Sequence, residues 1–211
     1  GRSSAGFSWG AGSSAYQTEG AWNTDGKGLS IWDAFAHKKG KIHANDTGDF
    51  SCEGYHRFKD DVSLMKDMKL NHYRFSISWP RILPTGVKSR SPFSKIPSQN
   101  SVKRNDFTAA TPRKRRCWLK EPRSPCHLSG EQINEKGIRY YSDLIDLLLE
   151  NQIAPMVTLY HWDLPQVLQE RHGGWQNIST AEHFHDFADL CFQRFGSRVK
   201  HWITFNNPWV G

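Results

Sequence analysis

Apolar residues recur along this chain at two different periods, and the change from one to the other predicts helices that alternate with strands. Helical spacing runs through residues 53–70 and 133–152, and through a third segment that is capped by Ser179 or Thr180 and ends at Gly196. Short segments rich in β-forming residues lie before, between and after these helices. The four strands predicted in this way are residues 7–14, 71–79, 153–160 and 199–205.

The order of these elements predicts the fold class. Strands that alternate with helices form parallel sheets, because each crossover returns the chain to the same end of the sheet. Four strands and three helices are about half of a (β/α)8 TIM-type barrel. The chain has 211 residues, fewer than the roughly 250 that a closed barrel usually needs. We therefore expect an α/β fold that contains only four strands of an incomplete barrel.

Residues 88–130 interrupt this pattern. They show no apolar periodicity, and they contain five of the ten prolines and eleven of the 28 Lys and Arg residues. The rest of the chain has 17 basic and 19 acidic side chains. The net charge of +7 therefore belongs to this one segment. It does not indicate a basic face that binds nucleic acid, so no nucleic-acid partner is expected.

Several interpretations of residues 88–130 are open. The functional ones are a localisation signal, a proprotein-convertase site at Arg113–Arg116, or a basic binding loop. The other is a disordered or non-native insertion, such as translated intron, because a segment of this composition cannot bury enough apolar surface to become ordered. Of these interpretations we expect a disordered or non-native insertion at residues 88–130. The rest of residues 1–211 is expected to form part of one domain.

Cysteine spacing and glycine patterns do not predict a metal or a cofactor. A zinc site built from Cys117, Cys126 and His127 is only a weak possibility, and a Gly-x-Gly-x-x-Ala pattern at residues 10–15 is not followed by the apolar helix that dinucleotide binding requires. No disulfide framework is expected either, because the four cysteines lack a regular spacing. They are Cys52, Cys117, Cys126 and Cys191.

The chain gives limited information about location. Its longest apolar runs are too short to span a membrane, residues 1–6 do not resemble a signal peptide, and we expect the natural N-terminus to lie upstream because no Met begins the chain. Asn45 and Asn177 begin triplets that accept N-glycans. These triplets favour a lumenal, extracellular or membrane-anchored protein over a cytosolic one. No protein partner is predicted.

Polar and aromatic side chains stand at or just beyond the predicted strand ends. In a parallel α/β barrel the carboxyl ends of the strands meet at one face, where substrate sites form. A single His after a strand is more often structural than catalytic. It is the occurrence of such residues at successive strand ends that predicts a common cleft. The four positions are Gln17, the segment Arg74–Trp79, the pair His161 and Trp162, and the pair Asn206 and Asn207.

Four motifs give the chain a strong resemblance to glycoside hydrolase family 1. The resemblance covers residues 6–87 and 131–210, and its details are most similar to the lactase, lactase-like and Klotho branch. It implies that the chain is the N-terminal half of a TIM barrel that binds a β-glycoside or an oligosaccharide. The motifs are Phe7–Gly10 with Ser14–Gly20, Asn71–Arg81, Tyr160–Pro165 and Thr204–Pro208.

The resemblance also implies roles for individual residues. Gln17 and His161 would bind sugar hydroxyls at the glycone subsite, with Trp162 forming part of its wall. Asn206 would hold the 2-hydroxyl, a contact that strengthens in the transition state. Arg74 would lie beneath the nucleophile and favour its ionised form through its positive charge.

Asn207 departs from the family pattern, because it stands where the motif has the Glu that acts as general acid and base. An amide has no ionisable proton and cannot protonate the leaving oxygen of a glycoside. The resemblance places the nucleophile in the second half of the fold, beyond Gly211. We therefore expect a β-glucosidase or lactase-like lineage in which this chain is catalytically incompetent. A Klotho-like module that binds a sugar or a receptor, and a nonfunctional fragment, stay open as alternatives.

Overall fold

The computed structural model describes residues 7–88 and 133–209, and these contain one four-stranded parallel sheet. The strands lie side by side in their sequence order, and each pairs in parallel with the next. This confirms the predicted architecture of parallel strands in an open sheet. The strands are β1 (Gly10–Gly12), β2 (His72–Ser76), β3 (Ala154–Tyr160) and β4 (His201–Phe205).

Seven helices connect the described strands, and three of them are the helices that the apolar periodicity predicted. These three are α3, α5 and α7. The other four have only four to seven residues, too few for a helical period to be visible in the sequence. The helices are α1 (Ala15–Thr18), α2 (Ile31–Ala36), α3 (Gly54–Asp67), α4 (Trp79–Ile82), α5 (Glu135–Glu150), α6 (Gln166–His172) and α7 (Ile178–Phe195).

Several predicted boundaries were wrong. Strand β1 covers only Gly10–Gly12 of the predicted residues 7–14. Trp79 does not end β2 but begins α4, where Pro80 is tolerated because the first turn of a helix needs no backbone donor there. The N-cap of α7 is Asn177 rather than Ser179 or Thr180, and its side chain accepts a hydrogen bond from the Ser179 amide at 2.9 Å. Ser, Thr and Asn are all good caps, so composition alone did not decide which of the neighbours would act.

Helix α5 lies at the centre of the helical layer, in contact with α3, α7 and β3. Tyr141, Ile145 and Leu148 are fully buried at helical spacing, so they form the stripe that packs on the core. Trp79 joins the same core from α4 and stacks on Phe187 of α7, with their ring centroids 5.0 Å apart. This core positions the carboxyl ends of the strands.

A buried polar cluster ties α1, α4 and α5 together. Arg81 Nε donates to Glu19 Oε2 at 2.8 Å, and the Tyr141 hydroxyl donates to Glu19 Oε1 at 2.5 Å. Glu19 and Arg81 are 5% and 1% exposed. Burial raises the pKa of Tyr141 well above its usual value, so the phenol stays protonated and able to donate. We call these three residues the Glu19 cluster.

Several expectations concern residues that the structure does not describe. The weak zinc pattern at Cys117, Cys126 and His127 and the basic run Arg113–Arg116 lie outside the described residues. Within residues 7–88 and 133–209, no helix is both long and apolar enough to cross a bilayer.

The two candidate glycosylation sites differ in exposure. Asn45 is exposed. Asn177 is half-buried, because its side chain caps α7. Glycosylation at either residue stays a prediction, as does the location that it favours.

Candidate active site

An open cavity of about 260 Å³ lies at the carboxyl ends of the strands, and it brings together three of the predicted site residues. They are Gln17 from α1 and the adjacent pair His161 and Trp162, which directly follow β3. The remaining lining residues are Ser14, Tyr16 and Trp32. Polar groups and aromatic walls therefore meet in one concave surface, which is the usual character of a small-molecule site.

Gln17 is positioned by the short helix that follows β1. The Ala15 amide donates to Ser76 Oγ at 2.7 Å, and this bond fixes the start of α1 to the end of β2. Ser14 Oγ then donates to Gln17 Oε1 at 2.7 Å. Since the carbonyl of the side chain is bound in this way, the amide nitrogen is the group oriented to donate to a ligand.

His161 presents a neutral imidazole to the cavity. Burial lowers the pKa of His161, and the nearby positive charge of Arg74 lowers it further. A neutral ring has one nitrogen that donates and one that accepts. Nδ1 is buried and has no hydrogen-bond partner among the described residues. Because Nδ1 is buried, Nε2 is the ring nitrogen that a hydroxylated ligand in the cavity could use.

Trp162 links the cavity to β4. Its indole Nε1 donates to the backbone carbonyl of Asn206 at 3.0 Å, which fixes the plane of the ring. The backbone of Trp162 is left-handed, with φ of 72°, a conformation that is unusual for a bulky residue and is often found at functional sites. The ring is thereby held as a wall on which an apolar ligand face can pack.

Arg74 and Asn206 form a second layer beside this cavity and do not line it. Arg74 Nη2 donates to Asn206 Oδ1 at 2.7 Å, and Arg74 Nε donates to Thr158 Oγ1 at 3.0 Å. One guanidinium from β2 therefore holds side chains that belong to β3 and to the end of β4. Sequence reasoning missed Thr158, because a single polar residue within an apolar strand gives no sign that an arginine will bind it.

Asn207 directly follows Asn206 and is exposed, with a left-handed φ of 43°. Asn adopts this backbone conformation more readily than most residues. Its amide can donate and accept hydrogen bonds, but it cannot give up or take up a proton in the range where enzymes work.

Two aromatic residues of the cavity were not predicted from the sequence. Tyr16 and Trp32 face each other with ring centroids 5.8 Å apart. Trp32 lies on α2, which begins with a capping box in which the Ser30 hydroxyl binds the Asp33 amide and the Asp33 carboxylate binds the Ser30 amide. The Ser-x-x-Asp pattern is the signal that could have located this helix and its aromatic face.

The comparison with protein families agrees with this geometry. The family described as glycosyl hydrolase family 1 matches residues 2–94 and 127–211. The chain belongs to this family. Residues 95–126 fall outside the match, and they lie within the segment that interrupts the helix and strand pattern.

Named relatives of this family member come from animals and plants. The chain is 50% identical over 204 residues to the lactase-like protein of Homo sapiens, covering 96% of this chain and 29% of that protein. It is 46% identical over 206 residues to a non-cyanogenic β-glucosidase of Trifolium repens, covering 97% of this chain and 34% of the relative. The chain therefore spans about a third of the length of these relatives.

Solved structures of the family have the same fold over this region. A β-glucosidase from Thermotoga maritima in complex with deoxynojirimycin superposes with a TM-score of 0.75 at 38% identity, covering 97% of this chain and 36% of that one. A mutant of a rice β-glucosidase in a covalent complex with glucose gives 0.76 at 40% identity, covering 98% and 34%. These neighbours are TIM-barrel enzymes, so the four parallel strands are part of such a barrel.

Proposed function

We propose that this chain supplies the sugar-binding strand ends of a family 1 β-glycosidase barrel, and that it binds β-glycosides without hydrolysing them. The observation that supports binding is the cavity in which Gln17, His161 and Trp162 meet. The observation that argues against hydrolysis is the amide of Asn207 at the end of β4.

The cavity has the chemistry that a pyranose needs. A sugar has hydroxyls around its edge and apolar C–H faces, so it is bound by hydrogen-bonding side chains beside aromatic planes. The amide nitrogen of Gln17 and the neutral ring of His161 supply the hydrogen bonds. Trp162 and Trp32 supply the planes. The Thermotoga relative binds deoxynojirimycin, which makes this compound a suitable probe.

The second layer would act on the anomeric centre. In family 1 the Arg74 position supports an ionised nucleophile, and a cation close to a carboxylate favours its charged form. The hydrogen bond of 2.7 Å between Arg74 and Asn206 holds the two groups together in the layer beside the cavity. Asn206 would therefore be oriented toward the sugar 2-hydroxyl.

Asn207 determines which steps of the reaction this chain would lack. A retaining glycosidase uses one carboxyl group to protonate the leaving oxygen and the same group, as a base, to activate water. The side chain of Asn207 can perform neither step, although it can still hydrogen-bond to the glycosidic oxygen. Binding would thus be kept while both proton transfers are lost.

The first prediction tests binding separately from hydrolysis. Gln17→Ala and His161→Ala should each weaken deoxynojirimycin binding by about two- to tenfold, because each removes one hydrogen bond. The same chain should release no aglycone from an aryl β-glucoside. Isothermal titration calorimetry measures the first result and absorbance of the released phenol measures the second.

The controls use the same residue types at exposed positions of α7. Gln193→Ala and His185→Ala should leave the dissociation constant unchanged, because these side chains lie on the outer helix surface. Equal losses in all four variants would point to a general effect on folding. If none of the cavity variants altered binding, the sugar site would lie elsewhere and the proposal would be wrong.

A further inference from the structure

A very small buried cavity lies beneath the loop between β3 and α6. Its volume is about 10 Å³, close to what a single buried water requires. It is separate from the sugar-binding cavity, although Tyr16 contacts both. The titratable side chains that line it are Tyr16, Glu19, Lys27, Asp33, Arg81 and Asp163.

Two polar atoms at this cavity lack a hydrogen-bond partner among the described residues. They are Ser78 Oγ and Asp163 Oδ1. The two residues are 1% and 2% exposed, so bulk water does not reach them. Buried polar atoms are nearly always hydrogen-bonded, and an internal water is the usual partner where the protein supplies none. The cavity therefore has the size and the lining of a water site.

The charges around the cavity leave Asp163 without a cation. Lys27 Nζ is paired with Asp33 Oδ2 at 2.7 Å, and Arg81 Nε is paired with Glu19 Oε2 at 2.8 Å. Asp163 is the remaining carboxyl group. If it were ionised, the buried group would hold three carboxylates and two cations, which is unfavourable where water is excluded.

Desolvation agrees with this charge count. Burial raises the pKa of Asp163 to about 7, and the charge of Glu19 raises it further. Lys27, the adjacent Ser78 hydroxyl and the amide of Asp163 itself oppose this increase, and the Ser78 hydroxyl does so without meeting the geometry of a hydrogen bond. The pKa of Tyr16 is also raised, so this phenol is neutral at neutral pH and adds no charge. A protonated Asp163 would make the cluster neutral.

We propose that Asp163 is a positioning residue, held as a neutral carboxylic acid on one buried water, which fixes the loop that presents His161 and Trp162. The part that concerns sugar binding rests on the proposed function above. Asp163 is next to Trp162 in the chain, and its side chain points away from the sugar cavity into the buried one. A shift of the Asp163 side chain would therefore be expected to move the backbone of the two residues before it.

The backbone on the other side of Asp163 is already fixed. The Ile31 amide donates to the Leu164 carbonyl at 2.8 Å, and the Gln166 amide donates to the Leu29 carbonyl at 2.8 Å. These bonds hold the loop where it enters α6. These two bonds do not involve His161 and Trp162, the first two residues of the loop. The position of those residues depends on the Asp163 side chain and on the hydrogen bond of the Trp162 indole.

Stability as a function of pH tests the protonation state without any ligand. The unfolded chain releases the proton of an Asp near pH 4, whereas the folded chain keeps it up to about 7. The folding equilibrium constant should thus fall by up to about tenfold per pH unit between those values, and level off above them. Asp163→Asn, which is neutral at every pH, should have a much shallower decline than the parent chain in urea unfolding, with only the contribution of other groups such as Asp61, whose pKa burial also raises, left in place.

An exposed carboxyl group provides the matched control. Asp67→Asn at the end of α3 should keep the pH dependence of the parent chain. An unchanged slope in Asp163→Asn would overturn the proposal, because the carboxyl group would then be ionised in the fold. Stabilisation by sodium or potassium at constant ionic strength, lost in Asp163→Asn, would also overturn it, because a cation would then occupy the cavity.

A second measurement uses only the parent chain and does not depend on whether a variant folds. The infrared C=O band of a protonated carboxyl group should be present in the parent chain at mildly acidic pH and should disappear as the pH rises through about 7. Its absence from the folded chain at mildly acidic pH would contradict a neutral Asp163.

The positioning role has its own readout. Deoxynojirimycin is an amine that itself loses a proton near neutral pH, so the readout is the ratio of the parent's affinity to that of Asp163→Asn at each pH. This ratio should fall above about pH 7. A ratio that does not change with pH, while the stability slope is present, would show that Asp163 is a neutral acid that has no effect on the loop. If no sugar binds at all, the proposed function fails, whereas the stability and infrared results still decide the protonation state.

Discussion

Replacing Asn207 with Glu should raise the turnover of natural β-glucosides by about 10² to 10⁴-fold, in a protein that joins this chain to the remaining strands of a family 1 barrel. The new carboxyl group could protonate the leaving oxygen and later activate water, which the amide cannot do. Steady-state kcat on an unactivated glucoside measures the gain.

An activated substrate separates the two proton transfers. Dinitrophenol needs little protonation to leave, so the Asn207 protein should form the glycosyl intermediate from a dinitrophenyl glucoside and then stall for lack of a base. Rapid mixing should show a burst followed by slow release. Asn207→Gln is the matched control and should give no gain, because it lengthens the side chain without adding a group that can give up or take up a proton. Efficient turnover of unactivated glucosides by the unmodified protein, with no change in Asn207→Glu, would show that Asn207 does not occupy the acid/base position.

Removing the buried cation of the Glu19 cluster should produce the largest loss of stability. Arg81→Met leaves Glu19 ionised and buried with only the Tyr141 hydroxyl as a partner. Breaking one member of a buried ion pair typically costs about 3–5 kcal/mol, a large share of the roughly 5–15 kcal/mol by which domains are stable. Urea unfolding monitored by tryptophan fluorescence gives the change in the free energy of unfolding.

A surface pair on α3 provides the comparison. Arg57 and Asp60 form a 3.4 Å contact with side chains 61% and 70% exposed, so Arg57→Met should cost less than about 1 kcal/mol. Combining Arg81→Met with Glu19→Gln should recover part of the loss, because no unpaired charge is then left in the core. A loss below about 1 kcal/mol in Arg81→Met alone would mean that Glu19 is hydrated or protonated in the fold.

The sequence was sufficient for the long elements of the fold and insufficient for the short ones. Helices α3, α5 and α7 have 14 to 18 residues, enough for the apolar stripe to repeat several times. A four-residue helix such as α1 makes barely one turn, so its apolar spacing cannot be distinguished from that of a loop. The start of α4 at Trp79 depends on burial in the core, which local sequence does not express.

The candidate site was predictable to a similar degree. Polar residues after strand ends predicted that Gln17 and His161 would meet, and they line one cavity. That Arg74 and Asn206 would lie in a second layer outside this cavity was not predictable. It depends on where the Arg74 guanidinium finds acceptors in β3 and beyond β4. Asp163 was passed over because its chemical interest comes from burial among already paired charges, a property of the packed structure.

The Glu19 cluster also has a consequence for how long a folded molecule lasts. Glu19 is separated by 62 residues from Arg81 and by 122 from Tyr141, and contacts between such distant positions are formed only after long loops have closed. Interactions that are absent from the folding transition state slow unfolding without speeding folding. We therefore expect this cluster to give the folded chain kinetic stability, that is, a slow rate of unfolding. In stopped-flow experiments Arg81→Met should raise the unfolding rate while the refolding rate changes little. We therefore expect the variant to be cleaved faster than the parent chain at high protease concentration.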